Sequence, residues 1–246
     1  MTQFDDLADI YEEFSRLPFR RELEFPSVIG LLGDPSHLRI MDMGCGSGVY
    51  SRVLARRGAG QVVGLDESSG MIEHVRARES GERLGIGYAD GTLPAELVGS
   101  FDLVLGVYVM PYATTYKELV GQCRTAAEAL RPGGRFLTLP LHPEVHQDPD
   151  HYERYGFRLT TDGALTDGSP VDLALCFGGH DIHVTAHYWS AATLEEALRE
   201  TGFGPVRWRR HCLSPSAAAG PPDFWEPYLS APHAAILDTC KEDEPS

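Results

Sequence analysis

At 246 residues and 42% hydrophobic composition, the chain can bury one core with decorations. Its 21 Lys plus Arg against 36 Asp plus Glu give a net charge of −15, which repels phosphate backbones and anionic lipid; neither nucleic acid nor membrane is an expected partner. No apolar run reaches the ~18–20 residues of a membrane span, no leader-like segment opens the chain, and Cys45, Cys123, Cys176, Cys212 and Cys240 form no C-x-x-C pair, so free thiols and a cytoplasmic location are expected.

Phe4, Leu7, Ile10, Tyr11 and Phe14 repeat at helical spacing, Pro18 interrupts them, and a second helical pattern runs from Phe19 to Leu32. Residues 1–36 are predicted to form a helical lid or brace. From Arg39 to Asp66 the chain reads as a strand (Ile40, Met41, closed by Asp42) and a turn at Gly44, Gly46 and Gly48. A helix carrying Tyr50, Val53 and Leu54 follows, then a second strand ending at Asp66. This is a βαβ unit of the doubly wound type, with its ligand crevice at the carboxyl ends of the strands. A G-x-G-x-G turn with Asp42 just ahead of it suits a pyrophosphate poorly, which argues against a nicotinamide cofactor. Asp66 is placed to accept bonds from ribose hydroxyls. A nucleoside carrying positive charge fits both acids, which points to S-adenosylmethionine.

Beyond Asp66, Ser68 and Ser69 cap a helix to about Glu79, with Met71 and Ile72 toward the sheet or a ligand. Ile86 to Ala89 form a third strand, followed by Asp90. Phe101 to Val109 is the most apolar run and belongs at the sheet centre, which brings Tyr108 and Tyr112 to the active site. Thr114 or Thr115 caps a helix to about Leu130; Arg131 to Gly134 turn into a fifth strand, Arg135 to Leu139. Residues 37–142 thus make the core. Residues 143–190, broken by Asp-Gly and Gly-Gly signals, are predicted to be a small antiparallel β cap. Residues 191–246 complete the core sheet: a helix from Thr193 to Thr201, then an antiparallel pair at Val206–Leu213 and Ala234–Thr239, with 214–222 a surface loop and a polar tail.

The blocks DMGCGSG, VVGLDESSGMI, YADGTLP, FDLVLGVYVMPYA and ALRPGGRF occur in this order over about residues 38–140 and resemble the motifs of class I S-adenosylmethionine-dependent methyltransferases. The resemblance implies an α/β, Rossmann-like seven-stranded fold. It also implies a cofactor site of Asp42, Gly44, Cys45, Gly46, Gly48, Asp66, Glu67, Met71, Ala89, Asp90, Gly91 and Val107. By the same likeness Tyr11 and Arg20 would meet the cofactor's amino-acid end, Met71 would flank the adenine, and Asp90 would accept from its exocyclic amine. Surface packing for Tyr11 and Arg20, core packing for Met71 and a turn-forming role for Asp90 are the plain alternatives. YGFRLT, VTAHYWSAATLEEALRETGF and FWEPYL further resemble toxoflavin-synthase-like methyltransferases of bacterial small-molecule biosynthesis, with departures at Pro111 and at residues 138–142.

His183 and His187 on one strand would stand about 13 Å apart, too far to share an ion, so no metal is expected. A methyl-transfer site wants a dry aromatic pocket, for which Tyr108, Tyr112, Tyr155, Phe177 and Trp189 are candidates. His142 and then His180 are the candidate general bases. The expected activity is methyl transfer from S-adenosylmethionine to N or O of a small heteroaromatic or phenolic acceptor, leaving S-adenosylhomocysteine. The alternative is a non-methylating step on the same fold, such as a cyclisation or rearrangement. A monomer or homodimer is expected.

Overall fold

A computed structural model describes residues 8–243. The predicted stripe residues Phe4 and Leu7, and the last three residues of the polar tail, lie outside them. The chain runs through α1 (Ala8–Phe14), a wide helical turn (Arg20–Glu24), α2 (Phe25–Leu32), β1 (Arg39–Met43), α3 (Val49–Arg56), β2 (Gln61–Asp66), α4 (Ser69–Glu82), β3 (Gly87–Asp90), β4 (Phe101–Val107), α5 (Tyr116–Ala129) and β5 (Leu130–Leu139). It continues with β6 (Phe157–Thr161), β7 (Pro170–Phe177), β8 (His180–His187), α6 (Ala191–Glu200), β9 (Arg207–Arg209), α7 (Pro215–Ala218), α8 (Glu226–Ser230) and β10 (Ile236–Cys240).

Seven strands form one sheet in the order β3-β2-β1-β4-β5-β10-β9; β1 to β5 run parallel, and β10 is antiparallel to both its neighbours. β4 lies fourth of seven, where its apolar run is covered on both faces. Asp102 at its start accepts from the Arg39 backbone N–H at 2.8 Å and pairs with Arg131 at 2.6 Å, tying the first turns of β1, β4 and β5 together. A second sheet, β6-β7-β8, is antiparallel. Its inner residues join Phe14, Phe19, Leu141 and Tyr228 in a separate aromatic core.

Local chemistry sets the element ends. Ser68 caps α4 by accepting from Met71 N, Thr115 caps α5 from Glu118 N, and Ser190 caps α6 from Thr193 N. Four boundaries depart from the sequence reading. β1 runs one residue past Asp42, the expected closing residue, to Met43. β5 begins at Leu130, because Leu130 pairs with Phe101 across a register break and draws the Arg-Pro-Gly-Gly turn into the strand. β9 is only three residues long, and 214–222 contains the short helix α7, capped by Ser214.

Gly64 on β2 is needed for close approach: a Cβ there would lie 2.7 Å from the Tyr88 ring and 2.9 Å from Cys45 Sγ. Gly64→Ala is therefore expected to cost about 1–3 kcal/mol through overpacking. The urea midpoint reads this loss, and a variant as stable as the parent would contradict it.

Candidate active site

The turn after β1 has positive φ at Gly44, Gly46 and Gly48 (65°, 50° and 74°), a conformation that disfavours other residues. Backbone N–H groups of Gly44 and Cys45 both donate to Leu65 O, at 2.7 and 3.0 Å. Asp66 closes the turn onto β2: one carboxylate oxygen accepts from Gly46 N at 2.8 Å, the other from Ser68 N at 2.9 Å. A single acid thus holds the glycine turn and the start of α4 in register. Asp42, 2% exposed, accepts from the Ser51 hydroxyl at 2.5 Å. Burial pushes its carboxyl up to about 7, against the opposing Ser51 hydrogen bonds.

The N-terminal segment lies over this turn. Glu12 of α1 pairs with Arg52 of α3 and, at 3.0 Å, with Arg78 of α4; Arg52 in turn donates to Ser47 O at 2.6 Å. Arg20 is buried, pairs with Glu24 at 2.8 Å, and sits over the rings of Phe14, Phe25 and Tyr108 at 5.3–5.5 Å. Glu24, 1% exposed, also accepts from the Tyr50 hydroxyl at 2.8 Å and from the Tyr108 hydroxyl. Tyr108 has φ 58°, a strained value for a non-glycine residue, just past the carboxyl end of β4.

A cleft of about 620 Å³ opens at the carboxyl ends of β1, β2 and β4, within the ~300–1,000 Å³ usual for small-molecule sites. Of the residues the sequence singled out, Asp42, Gly44, Cys45, Gly46, Asp66 and Glu67 line it, as do Met71, Gly91, Val107, Tyr11, Arg20, Tyr108 and Tyr112. Gly48 does not: a Cβ there would meet Val75, Tyr88 and Arg52, so it packs α3 against its neighbours. Ala89 and Asp90 also lie off the wall; Asp90 is exposed at the end of β3. A smaller apolar cavity of about 30 Å³ adjoins the β cap, lined by Tyr11, Tyr108 and Tyr112 together with Pro111, Leu141, Phe157, Leu175 and His233. The three tyrosines form a wall common to cleft and side cavity.

Five expectations fall away from both cavities. Tyr155 is buried in the cap core, stacked on Trp225 at 6.0 Å, with its hydroxyl donating to Phe224 O. Trp189 comes after β8 has ended and fills the core beside α6. Phe177 packs on Phe14 at 5.7 Å in the cap hairpin. His142 turns back on its own loop, its Nδ1 accepting from Glu144 N at 3.0 Å; burial lowers its pKa. His180 pairs with Glu13 of α1 at 3.0 Å. Neither histidine is placed to serve as base in this conformation. Among the described residues no cluster could hold a metal ion.

Sequence reasoning missed Glu24, Gln122 and His233. The i,i+4 spacing of Arg20 and Glu24 was a signal for the first. Gln122 lies on the cleft wall with its Oε1 buried and without a hydrogen-bond partner among the described residues. Such an orphaned acceptor is costly unless a ligand meets it. With the carboxylates of Asp42, Asp66, Glu67 and Glu118, a buried guanidinium and aromatic faces around it, the cleft fits a cationic nucleoside with an amino-acid arm.

Residues 40–134 match the family described as "Methyltransferase domain". Together with the fold and the cleft, this supports an S-adenosylmethionine-dependent methyltransferase with the class I fold and with S-adenosylmethionine as its cofactor. A ubiquinone biosynthesis O-methyltransferase of Ruegeria pomeroyi is 26% identical over 194 residues, 78% of this chain and 70% of that protein. Other proteins of the same name align over less than half of their length. Two solved structures share the fold. An S-adenosylmethionine-dependent methyltransferase from Mesorhizobium loti superposes with TM-score 0.62 at 23% identity, covering 89% of this chain and 97% of that one. The CcbJ methyltransferase from Streptomyces caelestis gives 0.66 at 17% identity, with 99% of both chains covered. No helix among the described residues is long and apolar enough to cross a membrane.

The Asp42 carboxyl carries a pH prediction. A folded pKa near 7 against about 3.9 unfolded means that its contribution to stability is full below about pH 4 and is lost as pH rises through about 7. A cation docked in the cleft draws the pKa back down. Calorimetry at about pH 6.5 in buffers of different ionisation enthalpy should therefore show proton release when S-adenosylmethionine binds, and little at about pH 8.5, where the carboxyl is already ionised. Release unchanged between the two pH values would contradict the assignment.

Proposed function

We propose that the protein transfers the methyl group of S-adenosylmethionine to oxygen or nitrogen of a small heteroaromatic or phenolic acceptor seated at Tyr108 and Tyr112. The observation that carries this reading is the wall those tyrosines share with Tyr11 between a polar cleft and an apolar side cavity. In this reading Asp66 accepts from the ribose hydroxyls, Arg20 faces the cofactor's carboxylate, and Met71 and Gly91 flank the adenine. Asp90, exposed and off the wall, is given no part. The name of the Ruegeria relative favours oxygen as the methylated atom, and the toxoflavin-synthase-like blocks favour a heteroaromatic ring.

The methyl of a bound sulfonium is already electrophilic, so the chain's own part is placement and environment. Tyr108, fixed by Glu24 and by its strained backbone, and Tyr112, beside Tyr11 on the same wall, give an aromatic surface against which an acceptor ring can be oriented. Orientation of this kind removes up to about 7–11 kcal/mol of a bimolecular barrier. At about 30 Å³ the side cavity has room for little more than one water, so ring entry requires α1 or the cap to give way. The pairs of Glu12 with Arg52 and Arg78, and of Glu13 with His180, are the contacts that hold α1 down.

The test is a screen of phenols and nitrogen heterocycles with methyl-labelled S-adenosylmethionine. The reading predicts labelled product and S-adenosylhomocysteine in equal amounts. Conversion of an acceptor with no S-adenosylhomocysteine released would replace it with a cyclisation or rearrangement.

A further inference from the structure

His233 lies between α8 and β10, opposite the carboxyl end of β5. Its backbone is pinned there from both sides: His142 N donates to His233 O at 2.8 Å, and Ala235 N to Pro140 O at 3.0 Å. The imidazole is 5% exposed and packed edge or face against Phe157 (4.6 Å), Tyr108 (5.5 Å) and Phe19 (5.8 Å). It contributes the one imidazole to the wall of the side cavity. Its Nδ1 stands 2.6 Å from the hydroxyl of Tyr228, a phenol with no exposed surface. A buried O–H without an acceptor is costly, and among the described residues Nδ1 is the acceptor this hydroxyl has. Tyr228 is therefore the donor, Nδ1 carries the lone pair, and the ring proton sits on Nε2.

We propose that His233, locked by Tyr228 as the Nε2–H tautomer, is an acceptor-recognition residue: it donates a hydrogen bond to a carbonyl oxygen or other proton-accepting atom on the ring that is methylated. This rests on the reading of the adjoining cleft as the methyl-donor site. It narrows the acceptor class from phenols and heteroaromatics at large to rings that carry a hydrogen-bond acceptor beside or opposite the methylated atom. It also assigns His233 a positioning role and not that of a base, since its free nitrogen already holds a proton. The charge environment agrees. Burial, followed by the neighbouring His211, Arg20 and His142, holds the ring's pKa well below the usual histidine range, so the imidazole is neutral at physiological pH. The other titratable groups about it are Tyr108, Tyr152 and Tyr228, with Glu24 behind Tyr108.

The experiment uses the full chain loaded with S-adenosylhomocysteine. Calorimetric titrations compare 4-quinolone, which has a ring N–H and a carbonyl, with indole, which has the N–H alone. The wild type is expected to prefer 4-quinolone by about tenfold, the worth of one buried hydrogen bond. His233→Leu should lose that preference with S-adenosylhomocysteine affinity unchanged, and His233→Gln, whose amide can donate, should recover part of it. In ¹⁵N-histidine spectra of the wild type, His233 should show a protonated Nε2 and a bare Nδ1, and Tyr228→Phe should abolish that bias. A His233→Leu variant that keeps the preference, a wild type that has none, or a protonated Nδ1 overturns the proposal and leaves the cleft reading standing. Failure of S-adenosylhomocysteine to bind the wild type overturns both. Should His233→Leu not fold, the wild-type spectra decide.

Discussion

Glu24→Ala is expected to lower stability by about 3–5 kcal/mol, the cost of leaving a buried charge without its partner. Glu24 is 1% exposed and serves three side chains at once: the Arg20 guanidinium, the Tyr50 hydroxyl and the Tyr108 hydroxyl. Removing it strands a cation held only by aromatic faces, together with two buried phenols. Glu24→Gln keeps an oxygen for one tyrosine but not the charge, and should fall between the two. Tyr50→Phe removes one hydrogen bond and should cost about 1 kcal/mol. Urea denaturation checks the series. A Glu24→Ala protein within about 1 kcal/mol of the parent, inside the ordinary range of point substitutions, would mean that the hub is not a unit. The same substitution should also loosen Tyr108, whose hydroxyl loses its acceptor, so acceptor binding should weaken more than cofactor binding.

Asp66→Ala is expected to weaken S-adenosylhomocysteine binding by more than about 100-fold, roughly 3 kcal/mol or above. Two effects add. The carboxylate offers an acidic acceptor at the end of β2 for a ribose, and it also staples Gly46 N and Ser68 N, so its loss relaxes the glycine turn itself. The strand should survive, because its ladder to β1 and β3 runs through backbone pairs. Asp66→Asn keeps one acceptor oxygen and should lose less. Asp90→Ala, at an exposed position off the wall, should bind almost as the wild type does. Equal losses from Asp66→Ala and Asp90→Ala would contradict the distinction drawn between the two acids.

The parallel core was legible because its signals are local. The Gly44-Gly46-Gly48 turn, the acid at the end of β2 and the unbroken apolar run of β4 each follow from backbone geometry and burial within a few residues. The side chains that shape the acceptor side were not legible in the same way. His142 follows the carboxyl end of a core strand, which in sequence points to the site, but its backbone is tied to His233 and its ring folds back to Glu144. Tyr155 and Trp189 are aromatic and near the cap in sequence, yet packing between α8, α6 and the sheets takes them into cores. His233 follows Pro232 at the head of an apolar strand, where no pattern distinguishes a cavity-lining imidazole from a loop residue. Only the three-dimensional return of β10 beside β5 sets it next to Tyr108. The Arg-Pro-Gly-Gly segment shows the same limit at the backbone level: its composition signals a turn, and a long-range pair, Leu130 with Phe101, makes it strand.

The most direct measurement is a calorimetric titration of the purified protein with S-adenosylhomocysteine, with NADH as control and Asp66→Ala alongside. The account predicts one site of micromolar affinity for the sulfur nucleoside, none for NADH, and near-complete loss in the variant. An absence of S-adenosylhomocysteine binding, or binding untouched by Asp66→Ala, would contradict the placement of the cofactor in this cleft and the acceptor geometry built on it.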